Sequence, residues 1–160
     1  MTSVSTVINQ ILLLSKKELI TKNIDVKLHL DDKCYIYSDG REALKVILQN
    51  TIINAIQAVD YDGKVEIFTG KNRENNGENI VICIKDNGGG IKIEPKERIF
   101  EPFLSTKEDG TGIGLWITKR LVNTLSGKIE IVDGRQDETE FKITIPMKEK
   151  KDAEDKGSVS

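Results

Sequence analysis

Residues 80–84 form an uninterrupted apolar run, Ile-Val-Ile-Cys-Ile, and this run is the feature that most limits how the chain can fold. A short continuous apolar segment with polar residues on either side is typical of a central strand that is covered on both faces. It therefore predicts a domain built around a sheet. Residues 87–110, which follow it, have little regular period beyond a short turn near residues 94–99. Irregular loops of this length are usually functional or disordered, so this segment is the first candidate for a functional site.

The hydrophobic pattern predicts the elements around this strand. Helices are predicted at residues 4–20, from an N-cap at Asp39 to about residue 59, and from about residue 111 to residue 125, where Gly127 ends the last one. Strands are predicted at residues 26–30, 34–37, 64–69, 128–132 and 138–145, with residues 70–78 as a hairpin loop. This mixture predicts an α/β or α+β fold.

Composition limits the class of protein. The chain has 160 residues and a net charge of −2, which fits one domain and argues against a nucleic-acid-binding protein with a basic excess. No apolar run approaches the roughly 20 residues of a membrane span, and the first residues do not form a signal peptide. Cys34 and Cys83, far apart in apolar surroundings, favour buried reduced thiols. We expect a soluble cytoplasmic domain over residues 1–147 and a charged, disordered tail at residues 148–160.

The predicted helix after Asp39 carries Asn50 and Asn54, whose spacing of four places both amides on one face. Asparagine is a poor helix former, so the pair among apolar residues requires an explanation. Amide oxygens suit Mg²⁺, and amide NH₂ groups can donate to phosphate oxygens. Considered alone, a solvated polar helix face explains the pair better.

A second cluster, Asp86-Asn-Gly88-Gly89-Gly90-Ile91, follows directly after the apolar run. A carboxylate at a strand end can accept a hydrogen bond from an exocyclic amine such as adenine N6. Glycines allow the backbone to approach a flat ring and permit positive φ. A glycine-rich turn with an Asx cap explains the cluster equally well.

Two more clusters lie further along the chain. In Phe100-Glu-Pro-Phe103 and the following Ser-Thr-Lys107, two rings could anchor the loop and the lysine could reach an anion; a loop simply pinned by aromatics is the alternative. Gly110-Thr-Gly112-Ile-Gly114-Leu115 opens the last predicted helix, where unpaired N–H groups and the helix dipole favour phosphate. Neither a dinucleotide fingerprint nor a Walker loop fits this cluster, because the required preceding strand and the Gly-Lys-Ser/Thr sequence are both missing.

In this order and at these distances, the four clusters resemble the nucleotide-binding boxes of the GHKL ATPase superfamily. More narrowly, the sequence resembles the catalytic ATP-binding domain of bacterial sensor histidine kinases. Residues 50–55 match the N box, 86–90 the first glycine box, 100–103 the F box and 110–115 the second glycine box. Residues 138–146 resemble the closing strand of the family, and the resemblance extends from about residue 4 to residue 147.

The resemblance implies a two-layer α+β sandwich of the Bergerat type, with three helices on one face of a mixed, mostly antiparallel sheet and the long loop as an ATP lid. Asp86 would bind adenine N6, Asn54 would ligate Mg²⁺, and Asn50 would contact phosphate or the shell of the metal. Lys107 is the expected lid cation near the γ-phosphate, so Asn50 and Lys107 are the implied catalytic pair. The implied nucleotide-contacting positions are Asn50, Asn54, Asp86, Gly88, Gly90, Ile91, Phe100, Phe103, Lys107, Gly110, Thr111, Gly112, Gly114, Leu115 and Thr139.

Position 50 separates the activities within the superfamily. Members that hydrolyse ATP carry a glutamate four residues before the metal-binding asparagine, whereas an amide cannot act as a general base. A neutral histidine acceptor needs no base, so the resemblance implies transfer of the γ-phosphoryl group to histidine. An ATP hydrolase and a non-catalytic nucleotide-sensing module remain alternatives. Gln57 stands where many relatives carry a cation, so the phosphates would depend more on Lys107 and the backbone.

The implied partners are a dimerisation domain that carries the acceptor histidine and, through it, a response regulator. The only histidine, His29, lies in a strand pattern and is followed by Leu30 rather than an acidic residue. The chain is therefore expected to be unable to phosphorylate itself without the acceptor domain. We expect an isolated monomer with no nucleic-acid partner and no direct membrane insertion, although the parent kinase could be membrane-anchored.

Overall fold

The computed structural model describes residues 1–104 and 111–147, and these residues contain four α-helices and seven strands. The helices are α1 Val4–Leu14, α2 Lys16–Thr21, α3 Arg41–Ala58 and α4 Gly114–Thr124. The strands are β1 Thr2–Ser3, β2 Asp25–His29, β3 Tyr35–Ile36, β4 Lys64–Glu74, β5 Gly77–Asp86, β6 Lys128–Ile131 and β7 Thr139–Pro146. Short 3-10 turns cover Ser38–Gly40 and Lys96–Phe100. None of the helices in the described ranges is both long enough and apolar enough to cross a membrane.

Five of the strands form one mixed sheet in the order β2-β4-β5-β7-β6. β2 and β4 are parallel, and the other three neighbouring pairs are antiparallel. β1 and β3 form a separate antiparallel pair. The predicted α+β sandwich with a mostly antiparallel mixed sheet is therefore confirmed, and the apolar run of residues 80–84 does lie in the central strand, β5.

One hydrophobic core joins α1, α3 and α4 to this sheet. From β5 it takes Ile80, Ile82 and Ile84, each 1% exposed or less. Val81 and Cys83 alternate with them and therefore point to the opposite face. There Val81 is 8% exposed between Gly70 and Thr144 of the neighbouring strands, and Cys83 is only half-buried. The prediction that this strand is covered on both faces therefore holds at Val81 but not at Cys83, because the helices pack on the opposite face.

The structure corrects several predicted boundaries. The helix predicted at residues 4–20 is interrupted at Ser15, whose backbone angles of φ −91° and ψ 3° lie outside the helical region and separate α1 from α2. Asp39 lies within a 3-10 turn, and the N-cap of α3 is Gly40, which makes no side-chain capping bond. The predicted hairpin loop at residues 70–78 is paired almost throughout, with Glu74 opposite Gly77 and only two residues between them. The last helix begins at Gly114 instead of residue 111.

Candidate active site

A cleft of about 400 Å³ lies between the C-terminal half of α3, the end of β5, the start of β7 and the start of α4. Among the predicted nucleotide-contacting residues, Asn50, Asn54, Asp86, Gly90, Ile91, Thr111, Gly112, Gly114, Leu115 and Thr139 all line it. These positions come from four separate elements and from the loops after β5 and before α4, and they span 90 residues of sequence, from Asn50 to Thr139. The fold therefore brings together most of the residues that the sequence motifs single out.

A buried acid lies at one end of the cleft. Asp86 is the last residue of β5 and is 2% exposed. Its Oδ1 accepts a hydrogen bond from the Gly88 N–H at 2.9 Å, which fixes the carboxylate to the turn that follows. Thr139 faces it directly across the β5–β7 ladder and is 8% exposed. A carboxylate and a hydroxyl thus line the same part of the cleft wall.

The glycines after Asp86 are required by the packing of the protein itself. A Cβ on Gly88 would collide with the Ala58 carbonyl at the end of α3, and Gly88 does not line the cleft. A Cβ on Gly90 would collide with the Gln136 carbonyl, and this residue has a positive φ of +75°. The turn can therefore lie against both α3 and the loop before β7 only because these side chains are absent.

Asn50 connects α3 to α4 at the other end of the cleft. Its side-chain Nδ2 donates to the Gly114 carbonyl at 3.1 Å and to Thr118 Oγ1 at 3.3 Å. Asn54 lies one turn further along α3, is half-buried and also lines the cleft. The predicted placement of both amides on one helix face is confirmed, and the alternative of a fully solvated polar face is not what the structure shows.

The start of α4 forms the cleft wall beside Asn50. Its N-cap residue, Ile113, offers no side-chain capping bond, so the first N–H groups of this eleven-residue helix are not satisfied by a cap. Gly112 has φ +68°, and a Cβ there would lie 2.7 Å from the Phe103 main-chain carbon. The Gly112 carbonyl accepts from the Phe103 N–H at 3.0 Å. Residues before and after the undescribed segment 105–110 are thus joined directly.

α3 sets the distance between the two ends. Gly88 packs against Ala58 and Gly114 contacts Asn50, so the acidic end and the α4 end are separated by eight residues of one helix. At 1.5 Å per residue this is about 12 Å. An elongated ligand with a hydrogen-bond-donating group at one end and negative charge at the other is complementary to this arrangement.

The two aromatic residues of the third motif differ in position. Phe100 is 6% exposed and its ring packs edge-on against Phe141, with 6.1 Å between centroids, while Lys119 Nζ lies 5.3 Å from the Phe100 ring. Phe103 is 78% exposed and has a positive φ of 64°. Phe100 therefore anchors the loop as expected, whereas the expected burial of the Phe103 ring is wrong. Neither ring lines the cleft. Lys107 and Gly110 lie outside the described residues, so their expected roles stay predictions.

Several cleft residues gave no recognisable signal in the sequence. Gln57, which was singled out in the sequence, also lines the cleft, whereas the residues without a signal are Ile53, Ala58, Lys92, Ile93, Ile99, Leu104 and Phe141. Most are apolar and were interpretable only as core positions. Lys92 is the one basic residue that lines the described part of the cleft, and its position in the irregular loop could have suggested it as a second candidate cation besides Lys107.

Among the described residues, three ionisable groups outside the cleft, Lys85, Cys34 and Cys83, have raised pKa values. Hydrogen bonding to Glu138, with Lys85 Nζ 3.0 Å from its carboxylate, raises the pKa of Lys85. Burial raises the pKa of the Cys34 and Cys83 thiols, so neither is an activated nucleophile, and both are free cysteines. Within residues 1–104 and 111–147, no group of three or more His, Cys, Asp or Glu side chains could hold a metal ion.

The mixed sheet with helices on one face forms an α+β domain, and its cleft has an acid at one end and a helix N-terminus at the other. The family model for histidine kinase-, DNA gyrase B- and HSP90-like ATPases matches residues 39–149. The chain belongs to this family, and it is of the type found as the catalytic domain of bacterial sensor histidine kinases.

Individual relatives agree with this assignment. The chain is 31% identical over 91% of its length to the signal transduction histidine-protein kinase AtoS of Escherichia coli, and 35% identical over 73% of its length to sporulation kinase A of Bacillus subtilis. It spans only 23% and 18% of those two proteins. A nucleotide-free catalytic domain of the histidine kinase ThkA superposes with a TM-score of 0.77 at 28% identity, covering 91% of this chain and 93% of that one.

Proposed function

We propose that the chain binds Mg-ATP in the cleft and donates the γ-phosphoryl group to a histidine on a separate dimerisation domain of its parent kinase. A response regulator would then receive the phosphoryl group from that domain. The observation that carries this proposal is the bonding of Asn50. Its amide donates to the Gly114 carbonyl, so the position at which hydrolysing relatives carry a glutamate base is occupied here by a neutral hydrogen-bond donor.

Binding would follow the two ends of the cleft. Asp86, assisted by Thr139, would accept from the adenine amine at the buried end, and Ile53, Ile91 and Ile93 would cover the faces of the base. The phosphates would lie toward Gly112 and Gly114, where the N–H groups at the start of α4, which have no side-chain cap, and the helix dipole favour negative charge. Lys92 and Lys107 are the candidate cations for the remaining phosphate charge.

The donor chemistry of the cleft fits a magnesium ion that is held jointly with the substrate. Mg²⁺ is commonly bound by one or two protein oxygens together with phosphates and water, and it does not require a cage of several carboxylates. The amide oxygens of Asn54 and Asn50 would supply the protein ligands or hold the water of its shell. When bound, the ion would neutralise charge on the phosphates of ATP.

The transfer step requires positioning more than acid–base catalysis. A neutral imidazole already has a lone pair for attack on the γ-phosphorus, so no residue of this chain needs to remove a proton to activate it. The cleft residues would hold ATP in line with the incoming histidine and stabilise the charge of the travelling group. The one histidine of this chain, His29, is on β2 and does not line the cleft. Its Nε2 lies 3.7 Å from Glu66 Oε2.

The deciding experiment uses Mg-ATP labelled at the γ-phosphate, with and without a separately prepared acceptor domain. We expect the label to remain in ATP when the chain is alone and to move to the acceptor histidine when that domain is added. An acceptor with glutamine in place of its histidine is the control. Steady release of labelled phosphate by the chain alone would instead indicate a hydrolase, and binding without any turnover would indicate a nucleotide-sensing module.

The site of any label on the chain itself also tests the proposal. We expect none, and His29→Gln should leave transfer to the acceptor unchanged. Stable label on His29 would contradict the requirement for a separate acceptor domain.

A further inference from the structure

Thr118 is a fully buried hydroxyl residue on α4, 0% exposed and one turn after Gly114. Its Oγ1 donates to the Gly114 carbonyl at 2.8 Å, so its proton is used in that bond. The same oxygen accepts from Asn50 Nδ2 at 3.3 Å, and Asn50 Nδ2 also donates to Gly114 at 3.1 Å. Asn50, Gly114 and Thr118 therefore form a closed set of hydrogen bonds between α3 and α4.

The direction of these bonds determines which atom of Asn50 is available to a ligand. A main-chain carbonyl can only accept, and a hydroxyl that has donated its proton presents only lone pairs to a further neighbour. Turning the Asn50 amide by 180° would place its oxygen against both acceptors, 3.1 Å from one and 3.3 Å from the other. The nitrogen is consequently held toward α4, and Oδ1 is the atom left for the cleft that Asn50 lines.

We propose that Thr118 is a positioning residue. It fixes Asn50 so that the amide oxygen points into the α4 end of the cleft, where the magnesium ion is proposed to bind. The inference rests on the proposed function, because it assigns Asn50 to the cation or its water shell instead of to a phosphate oxygen. Oxygen lone pairs attract a cation, whereas an NH₂ group in the same place would repel it. Without the Thr118 hydroxyl, the Asn50 NH₂ group has one hydrogen-bond acceptor, the Gly114 carbonyl, in place of two. The amide then rotates away from α4 more often.

The test compares Thr118→Val with Thr118→Ser and with a matched control, Thr51→Val. Valine removes the hydroxyl with little change of shape, and serine retains it. Thr51 is also 0% exposed, and its hydroxyl likewise bonds back within its own helix, to the Ile47 carbonyl at 2.8 Å, but it has no described bond to Asn50. Any general effect of losing such a bond should be common to both valine variants.

Two measurements read out the position of Asn50. The first is the solvent-exchange rate of the Asn50 side-chain NH₂ protons, followed by NMR in the nucleotide-free protein. The second is the ratio of ATP dissociation constants with EDTA and with Mg²⁺. For Thr118→Val we expect roughly fivefold faster exchange and a roughly fivefold smaller gain in affinity from Mg²⁺, as fits the loss of one hydrogen bond. Metal-free binding should be unchanged, serine should restore both values, and Thr51→Val should match the wild type.

Either measurement can overturn the proposal. If Thr118→Val and Thr51→Val exchange at the same rate, Thr118 does not orient Asn50. If exchange accelerates but the effect of Mg²⁺ is unchanged, the amide orientation is irrelevant to the metal. The wild-type protein alone tests the two hydrogen bonds of the Asn50 amide, because its NH₂ protons must then exchange more slowly than those of exposed Asn76. Equal exchange rates at Asn50 and Asn76 would contradict the proposal before any variant is measured. Failure of the wild type to bind ATP would overturn the proposed function, while the exchange rates would still decide the role of Thr118 in orienting Asn50.

Discussion

The Asp86 carboxylate accepts a hydrogen bond from the Gly88 N–H and is also proposed to accept one from the adenine amine. Substitution by asparagine separates these two roles. An asparagine oxygen can still accept from the Gly88 N–H, but the negative charge is lost and an NH₂ group can replace the acceptor that would face the adenine amine. We expect Asp86→Asn to lower ATP affinity at least about tenfold, since hydrogen bonds to charged groups contribute about 1.5–3 kcal/mol. Titration calorimetry measures the affinity, and thermal unfolding should show a melting temperature close to that of the wild type.

Asp137→Asn is the matched control for Asp86→Asn. It removes the same charge from an exposed residue of the neighbouring loop that does not line the cleft. Its ATP affinity should equal that of the wild type. If Asp86→Asn binds ATP as tightly as this control does, the adenine-contact role of Asp86 is contradicted.

At the residue scale, polar site residues were predictable from sequence and apolar ones were not. An acid directly after a buried strand or an asparagine pair within an apolar helix is costly unless it has a partner, so such residues are conspicuous. Ile93, Leu104 and Phe141 line the same cleft, but an apolar side chain gives the same sequence signal in a core and in a ligand site. The sequence also could not show why glycine is required at positions 88 and 90, because the carbonyls of Ala58 and Gln136 that exclude a Cβ come from distant segments.

Among the elements, the segment around the 3-10 turn Lys96–Phe100 is held by one of its two phenylalanines. Phe100 packs in the core against Phe141, whereas the Phe103 ring is 78% exposed. We expect Phe100→Ala to lower the free energy of unfolding by about 3 kcal/mol, as is usual for a buried phenylalanine. Phe103→Ala should change it by less than about 0.5 kcal/mol. Urea denaturation measures both, and equal losses would show that the two rings are buried alike in solution.

The contact between Gly112 and Phe103 joins the two ends of the undescribed segment beside the cleft. Gly112→Ala would strain a positive φ and also drive a Cβ into the Phe103 backbone. Gly77→Ala is a suitable control, because Gly77 has φ +117° but nothing within 4 Å of an added Cβ. Strain of order 1–3 kcal/mol should reduce the stability of both variants. Only Gly112→Ala should also weaken ATP binding, by roughly tenfold in calorimetric titration, and similar binding by both would contradict a role for this contact in shaping the cleft.

Element boundaries were harder to predict than element types. The break after α1 lies at the single residue Ser15, and residues 4–20 look like one amphipathic helix because their apolar spacing continues across it. Strands β4 and β5 extend beyond their apolar parts because polar pairs such as Arg73 and Glu78 continue the backbone ladder. Periodicity reports which side chains are buried, whereas backbone hydrogen bonds decide where an element ends.

At the scale of the whole molecule, the cleft belongs to no single element. α3 runs along it, β5 and β7 close the acidic end, and α4 meets Asn50 at the opposite end. Residue patterns alone predicted an α/β or α+β fold, but not that Asn50, Asp86 and Thr139 would meet. That expectation came from the resemblance to a known family, because contacts between residues far apart in sequence leave no local pattern.

A ligand that contacts all these elements should stabilise the entire domain. At ATP concentrations about 100 times its dissociation constant, binding adds about 2.7 kcal/mol to the free energy of unfolding. For a domain of this size each 1 kcal/mol raises the melting temperature by about 2–4 °C, so the rise should be roughly 5–11 °C in differential scanning calorimetry. Asn54→Ala should lose most of the further rise caused by Mg²⁺ and keep the rise caused by ATP with EDTA, since Asp86 and the adenine end are untouched. An unchanged magnesium-dependent rise in this variant would contradict Asn54 as a metal ligand, and loss of both rises would mean that Asn54 shapes the cleft for the nucleotide itself.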